Sequence, residues 1–259
     1  MAGVGGWEAA EDAFLALFVS FERYAYGTRY GFADGNRRFN AVRVTSADAL
    51  ASIDWPAFVA EHEPHFAGLD RALTLQLPEP LTPPPGAGVG APAGPAYEHV
   101  RTPLASFARP MPAGATLRRC EGLDDVARFV TLSLPSQIPP PMRERLAREG
   151  IGRIHGASER GQLVPLIYEV GGEPIGTVAA LPFRDGHSVF ALSVTPSRRG
   201  QGHMKAIYAG LARAFEGDLY GQIEDGLATM GYRARLAGTE RLARTRTYRR
   251  PDDPRFAGP

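Results

Sequence analysis

The stretch that decides the fold is Val194-Thr195-Pro196-Ser197-Arg198-Arg199-Gly200-Gln201-Gly202-His203-Met204. Residues 188–194 before it read as a strand. After it, Met204, Ile207, Tyr208, Leu211 and Phe215 recur at i, i+3, i+4, i+7 and i+11, one apolar stripe of a helix. The loop therefore joins a strand to a helix, with glycines where the backbone must come close to something. The first turn of a helix leaves N–H groups without partners and carries partial positive charge. A phosphate or pyrophosphate satisfies both. Gly200 and Gly202 remove side chains that would hold the anion away, and Arg198 and Arg199 add charge beside it. The pattern is not GxxxxGK[ST], and GxGxxG fails as well, which excludes the standard nucleotide loops.

Working outward, the strand is the third of an antiparallel meander. Residues 163–170 and 175–181 are its first two strands. Gly171-Gly172 is the first turn, where both positions accept positive φ, and Asp185-Gly186 is the second. Upstream, residues 115–120 predict a short strand. Leu123, Val126, Phe129 and Val130 predict an amphipathic helix, and residues 142–149 a second short helix after the break at 135–141. Downstream, residues 219–223 and 239–248 predict two further strands, with a helix at about 226–236 between them.

Residues 78–95, PEPLTPPPGAGVGAPAGP, are Pro/Gly-rich and are expected to form a surface loop or linker. A division follows, with an amino-terminal unit over 1–112 and a second over 113–259. In the first unit we expect a helix over 11–24, a strand over 40–44, helical structure over 47–63 split by Pro56, and a strand over 72–77. Glu61-His62-Glu63-Pro64-His65 is metal-like in composition, but its spacing matches no standard site. A solvated loop is the expectation, and no metal is assigned.

Bulk composition excludes several classes. The chain has 259 residues, 44% hydrophobic and 22% charged, with net charge +1. No overall basic field recruits nucleic acid. The longest apolar stretch, 13–21, is about half of the roughly 20 residues a spanning helix needs. Acidic Glu8, Glu11 and Asp12 precede it, so it is no secretory signal, and a cytoplasmic protein is expected. Cys120 is the only cysteine. Neighbouring Arg118 and Arg119 would lower its pKa, but an inert structural thiol is the expectation.

The segment Val194 to Gly202 resembles the coenzyme A-binding motif of the GNAT superfamily of N-acetyltransferases, and the resemblance covers residues 115–249. It implies an α/β (α+β) fold: a mixed, mostly antiparallel sheet flanked by helices, with two central strands splayed apart around acetyl-coenzyme A. It further implies that the backbone of Leu192, Ser193 and Val194 pairs with the pantetheine arm. The N–H groups of Arg199, Gly200, Gln201, Gly202, His203 and Met204 would then hold the pyrophosphate. Met204 stands where the family usually has Gly or Ala.

A Tyr on the following helix protonates the departing thiolate in that family. Two alignments compete. If Gly231-Tyr232 ends the helix, that position is Leu227. If Ala237-Gly238 ends it, Tyr232 lies on the helix two residues away. We prefer the second, with Tyr232 as catalytic acid and Tyr208 in reserve. Candidate bases are Glu169, Asp185, His187, Glu224 and Asp225. The seven arginines between 233 and 250 would face solvent, the 3′-phosphate or an acidic acceptor. Asn36-Arg37-Arg38-Phe39-Asn40-Ala41-Val42 resembles two-domain members whose first half is degenerate and shapes the acceptor pocket. The implied activity is acetyl transfer from acetyl-coenzyme A to a small-molecule amine, by a monomer or homodimer. The alternative is a non-catalytic acyl-coenzyme A-binding module.

Overall fold

The computed structural model describes residues 12, 15, 16, 20–31, 40–69, 72–134, 140–224 and 236–250. In chain order the elements begin with strands β1 (Ser20–Tyr24), β2 (Gly27–Gly31) and β3 (Ala41–Val44). Helices α1 (Ala47–Ala51) and α2 (Trp55–Gly68) follow, then β4 (Thr74–Pro78), β5 (Ala91–Pro92) and β6 (Tyr97–Pro103). The second half holds β7 (Ala115–Arg119), α3 (Gly122–Ser133), α4 (Pro140–Glu159), β8 (Val164–Val170), β9 (Glu173–Phe183) and β10 (Gly186–Val194). It closes with α5 (His203–Ala214), β11 (Asp218–Glu224) and β12 (Glu240–Arg249).

These strands form one sheet in the order β1-β2-β3-β4-β12-β6-β11-β10-β9-β8-β7, with β5 on β12. Among the described residues only β3–β4 and β10–β11 pair in parallel, so the sheet is mixed and mostly antiparallel, as expected. Strand β6 precedes residue 112 yet lies between β11 and β12, which follow it. The hydrogen-bonded sheet is thus continuous across that point.

Several local expectations change. Residues 20–24 are a strand, not the end of a helix. They pair with β2 in register, Phe21 facing Tyr30, because aromatic residues gain more from a cross-strand partner than from an isolated turn of helix. Pro56 does separate two helices. It sits in the first turn of α2, where its missing N–H costs nothing, behind an Asp54 cap that accepts from Ala57 N at 3.3 Å. Helix α4 runs 20 residues, well past Glu149, because Leu146, Gly150, Ile154 and Ala157 keep a buried stripe through its glycines. The second meander turn is Arg184-Asp185, Arg184 taking φ 52°, and Gly186 already begins β10.

The Pro/Gly-rich segment is a packed loop rather than a free one. Ala87 and Val89 are buried beside Leu75, Leu77 and Tyr248, and its backbone donates from Gly90 to Arg249 O at 3.0 Å and from Ala93 to Thr247 O at 2.8 Å. The arginines of β12 are part solvent-facing, Arg241 being 62% exposed, and Arg241, Arg244 and Arg246 each pair with a carboxylate. The strand lies between β4 and β6, with Arg241 on Glu98 at 2.5 Å and Arg244 and Arg246 on Glu79 at 3.1 and 2.9 Å.

Alternation along the strands separates two faces. Val42, Val44, Leu75 and Leu77 join Phe58 and Phe66 under α1 and α2. Ile207 and Leu211 of α5 pack with Leu166, Val178 and Leu219. On the opposite face Val126, Phe129 and Ile154 of α3 and α4 cover Ile167, Ala179 and Leu181. Buried polar side chains bond in a row across that face: Tyr30, Arg43, Gln76, Thr245 and His99.

Residues 61–65 are helical, not a loop. Within α2, His62 is fully buried against the rings of Tyr24, Tyr26 and Phe58. Arg29 can only donate, so its Nη1 at 3.1 Å makes Nδ1 the acceptor. The neutral ring then carries its proton on Nε2, which meets the Tyr26 hydroxyl at 2.6 Å. Burial, then the Arg29 charge, push this imidazole down from 6.5 to about 4. The unfolded chain therefore takes up the proton first. Stability is full above pH 6.5 and falls as pH drops through 4. We expect a loss of about 1–3 kcal/mol across that window. Denaturation midpoints of the wild type and His62→Phe against pH check this, and parallel slopes between pH 6.5 and 4 count against it.

Candidate acyl-coenzyme A site

Strands β10 and β11 pair only at Gly186–Asp218, His187–Leu219 and Ser188–Tyr220. Beyond that, β10 continues on β9 as far as Val194–Gly176, and β11 continues on β6 as far as Glu224–Tyr97. The two strands therefore part in a V. Glycine builds the closed end: a Cβ at Gly186 would lie 2.0 Å from Asp218 O, and one at Gly217 would lie 1.9 Å from Asp185 O. A bulge shapes the open arm. The β10–β9 register shifts between Phe190 and Ser193, and Ala191 takes φ 50°. A non-glycine residue held there is strained, and bulges re-aim strands next to sites. The Thr177 hydroxyl locks it, donating to Ala191 O at 2.9 Å and lying 2.8 Å from Ser193 Oγ.

The arm of the V ends in the loop. Pro196–Arg198 form one 3-10 turn, and the Arg199 N–H closes it on Pro196 O at 3.3 Å. Arg199 thus spends its backbone donor inside the loop, contrary to the expectation that this N–H faces the anion. Its Nε donates to Val194 O at 3.1 Å. Gly200 and Gly202 take φ 77° and 84°, and a Cβ on either would meet nothing within 4 Å. Glycine is there for its backbone freedom and leaves open space above the loop. Lys205 and Ala206 are the next backbone donors to find acceptors, both on Gly202 O. Among the described residues, the N–H groups of Gly200, Gln201, Gly202, His203 and Met204 have no backbone acceptor. Free N–H groups at a helix N-terminus are the chemistry an anion would need.

Side chains around these N–H groups are held away from them. Met204 packs onto the core beneath α5, so its bulk stays out of the loop. His203 Nδ1 lies 3.2 Å from the Tyr168 hydroxyl. Arg198 is paired on the surface with Glu173 at 2.5 Å. Leu192 and Val194 pack into the same core as Met204.

The remaining candidates separate by position. Tyr232 and Asp225 lie outside the described residues. Tyr208 is buried, its ring stacked 4.7 Å from Phe107, a core residue. Glu169 is engaged by Arg118, which also holds Asp125. Asp185 and His187 stand at the closed end of the V. There Asp185 accepts from Tyr220 at 2.7 Å, which holds it below the usual carboxylate range, and burial lowers His187. Among the described candidates, Glu224 alone stands at the open end, half-buried on the last residue of β11. Burial pushes the Cys120 thiol up to about 12, with Asp125 adding to it, so the expected inert thiol fits and the arginine effect loses. Among the described residues there is no group of three or more His, Cys, Asp or Glu placed to hold a metal. No helix among them is long and apolar enough to cross a membrane.

The bulge at Ala191 and the insertion of β6 were not read from the sequence. Phe190-Ala191-Leu192 carries no glycine to signal a positive φ.

No family model matches the sequence, and no curated protein does. Solved structures do resemble it. A GCN5-related N-acetyltransferase from Kribbella flavida is 16% identical, with a TM-score of 0.58 over 95% of this chain and 94% of its own. A GCN5-related N-acetyltransferase from Sphaerobacter thermophilus is 13% identical, with a TM-score of 0.54 over 89% and 75%. A functionally unknown conserved protein from Staphylococcus epidermidis is 10% identical, with a TM-score of 0.62 over 88% and 92%. The chain has the fold of the GCN5-related N-acetyltransferases.

Proposed function

We propose that this chain is a GNAT-superfamily enzyme that moves an acetyl group from acetyl-coenzyme A to the amine of a small molecule. The observation that carries the proposal is the V between β10 and β11 opening onto the five-donor loop at Gly200 to Met204. A pantetheine arm fits an unpaired strand edge, here Leu192 to Val194, and a pyrophosphate fits backbone N–H groups at a helix start. Titration calorimetry with acetyl-coenzyme A tests this, and an absence of heat at millimolar concentration removes it.

The chemistry asks little of the protein beyond placement. A neutral amine nitrogen attacks the thioester carbonyl carbon; the C–N bond forms, the C–S bond breaks and sulfur departs as thiolate. The amine gives up its surplus proton and the thiolate gains one. In this reading the bulge at Ala191 sets the backbone against the carbonyl, and Glu224, at the open end, takes the amine proton through water. Tyr232 is assigned as the acid that meets the thiolate. Tyr232→Phe should lower kcat on the order of 100-fold with acetyl-coenzyme A affinity unchanged; full turnover in that variant removes Tyr232 from the mechanism. Cofactor binding without thiol release for any amine would return the non-catalytic reading. The single, protonated Cys120 suits the reducing cytoplasm, where we place the reaction.

A further inference from the structure

A buried hydroxyl holds the bulge on β10. Ala191 and Leu192 stand opposite Val178 alone, since Phe190 pairs with Ala179 and Ser193 with Thr177. The extra residue switches the alternation of the strand. Phe190 and Ala191 both pack against the core under α3 and α4, while Leu192 and Val194 pack into the core under α5. Ala191 takes φ 50° to do this, a conformation that alanine keeps only where its surroundings impose it. Thr177 is fully buried on β9. Its hydroxyl lies 2.9 Å from Ala191 O and 2.8 Å from Ser193 Oγ. A carbonyl only accepts, so the Thr177 proton goes to Ala191 O and Ser193 donates to Thr177. Leu132 O, at 3.4 Å from Ser193 Oγ, is the weaker alternative for the Ser193 proton. Packing alone does not call for the Thr177 hydroxyl. Ile167, its partner on β8, and Ala179, two residues along β9, are hydrocarbon. A valine of the same shape would be buried there without desolvating a polar group.

We propose that Thr177 is a positioning residue for acetyl transfer: through Ala191 O it holds the left-handed turn that aims the backbone of β10 at the thioester carbonyl. This role presupposes the acetyltransfer reading above. The turn lies on the open arm of the V, beyond the last β10–β11 pair at Ser188–Tyr220 and just before Leu192 to Val194. A backbone N–H stabilises a developing oxyanion best when its direction is fixed in advance, and a misplacement of about 1 Å costs up to about a hundredfold in rate. Without the Thr177 bond, Ala191 O loses its partner on β9 and the strained turn relaxes away from φ 50°.

The test uses acetyl-coenzyme A isotope-labelled at the carbonyl carbon and needs no acceptor. Calorimetry first measures its binding to the wild type, Thr177→Val, Thr177→Ser and the double variant Thr177→Val with Ala191→Gly. Difference infrared spectroscopy then reads the carbonyl stretch of the bound thioester. Only folded protein binds, so a loss of stability alone does not move this frequency. We expect the wild type to lower the frequency from that of free acetyl-coenzyme A, and Thr177→Ser to keep the lowered value. Thr177→Val should lose most of the shift while its affinity, held by the pyrophosphate loop, falls by about tenfold at most. Glycine accepts φ 50° without strain, so the double variant should recover much of the shift. Thr177→Ala, which also lacks the hydroxyl, repeats the reading should the valine variant not fold. An unshifted carbonyl in the bound wild type overturns the proposal. So does a full shift in the variants without the hydroxyl, its loss in Thr177→Ser, or a double variant no better than Thr177→Val. Failure of the wild type to bind acetyl-coenzyme A sinks the acetyltransfer reading itself and is seen at the first step.

Discussion

Gly202→Glu abolishes acetyl-coenzyme A binding while the chain stays folded. Gly202 caps α5 with φ 84°, and the space beyond its Cα is open for 4 Å. A Cβ there meets no protein atom within 4 Å, so a side chain can leave the loop without disturbing the core under Ile207 and Leu211. Two effects fall on the anion site instead. The left-handed backbone costs a non-glycine residue about 1–2 kcal/mol. The new carboxylate then lies among the five N–H donors and competes with or repels the pyrophosphate, forfeiting charge-assisted bonds of about 1.5–3 kcal/mol each. Together these weaken binding by about a hundredfold or more. Gly202→Ala separates the two, since it carries the conformational cost alone and should bind within about tenfold to thirtyfold of wild type. Calorimetry on both variants, with circular dichroism as the folding control, gives the answer. Wild-type affinity in Gly202→Glu would place the cofactor elsewhere.

Arg43→Met destabilises the fold by about 3–5 kcal/mol. The Arg43 side chain is 3% exposed on β3, between β2 and β4. Its Nε donates to Gln76 Oε1 at 3.0 Å, and its Nη1 to the Tyr30 hydroxyl at 3.1 Å and Asp12 Oδ1 at 3.3 Å. Tyr30 bonds the same carboxylate oxygen, and the guanidinium lies 4.9 Å over the Tyr30 ring. Removing the cation leaves the Asp12 carboxylate, 14% exposed, with only the exposed Arg23 guanidinium at 3.4 Å as counter-charge. Removing both charges is different, because each then stops paying for burial of the other: Asp12→Asn with Arg43→Met should recover much of the loss. Midpoints of urea denaturation for the two single variants and the double variant complete the cycle. Additive losses would show that the ion pair contributes no coupling. The proposed acetyl-coenzyme A loop follows β10, separated from β3 by β4, β12, β6 and β11 in the sheet order, so acetyl-coenzyme A affinity in the folded fraction should not change.

The meander, its Gly171-Gly172 turn and the strand–loop–helix from Val194 were legible because each depends on neighbours in sequence. Two glycines at positive φ and a stripe at i, i+3, i+4, i+7 need no distant partner to be recognised. Residues 20–24 were misread because Phe21 is equally at home on a helical stripe and opposite Tyr30, and only the presence of β2 decides between them. Pro64 and the charges around His62 suggested a solvated loop. The helix prevails there because Phe58, His62 and Phe66 recur every fourth residue and all three find a core.

The sequence by itself determined the loop: its glycines, the helix it starts and the anion chemistry it offers are local properties of residues 194–215. Tertiary structure decided which of its donors stay available, since Arg199 closes the 3-10 turn and Met204 turns into the core. It also decided that β6 and β12 join the two halves in one sheet and that Ala191 bends the strand. These features arise from pairing and packing between residues far apart in the chain, where the alternatives differ by burial rather than by local preference.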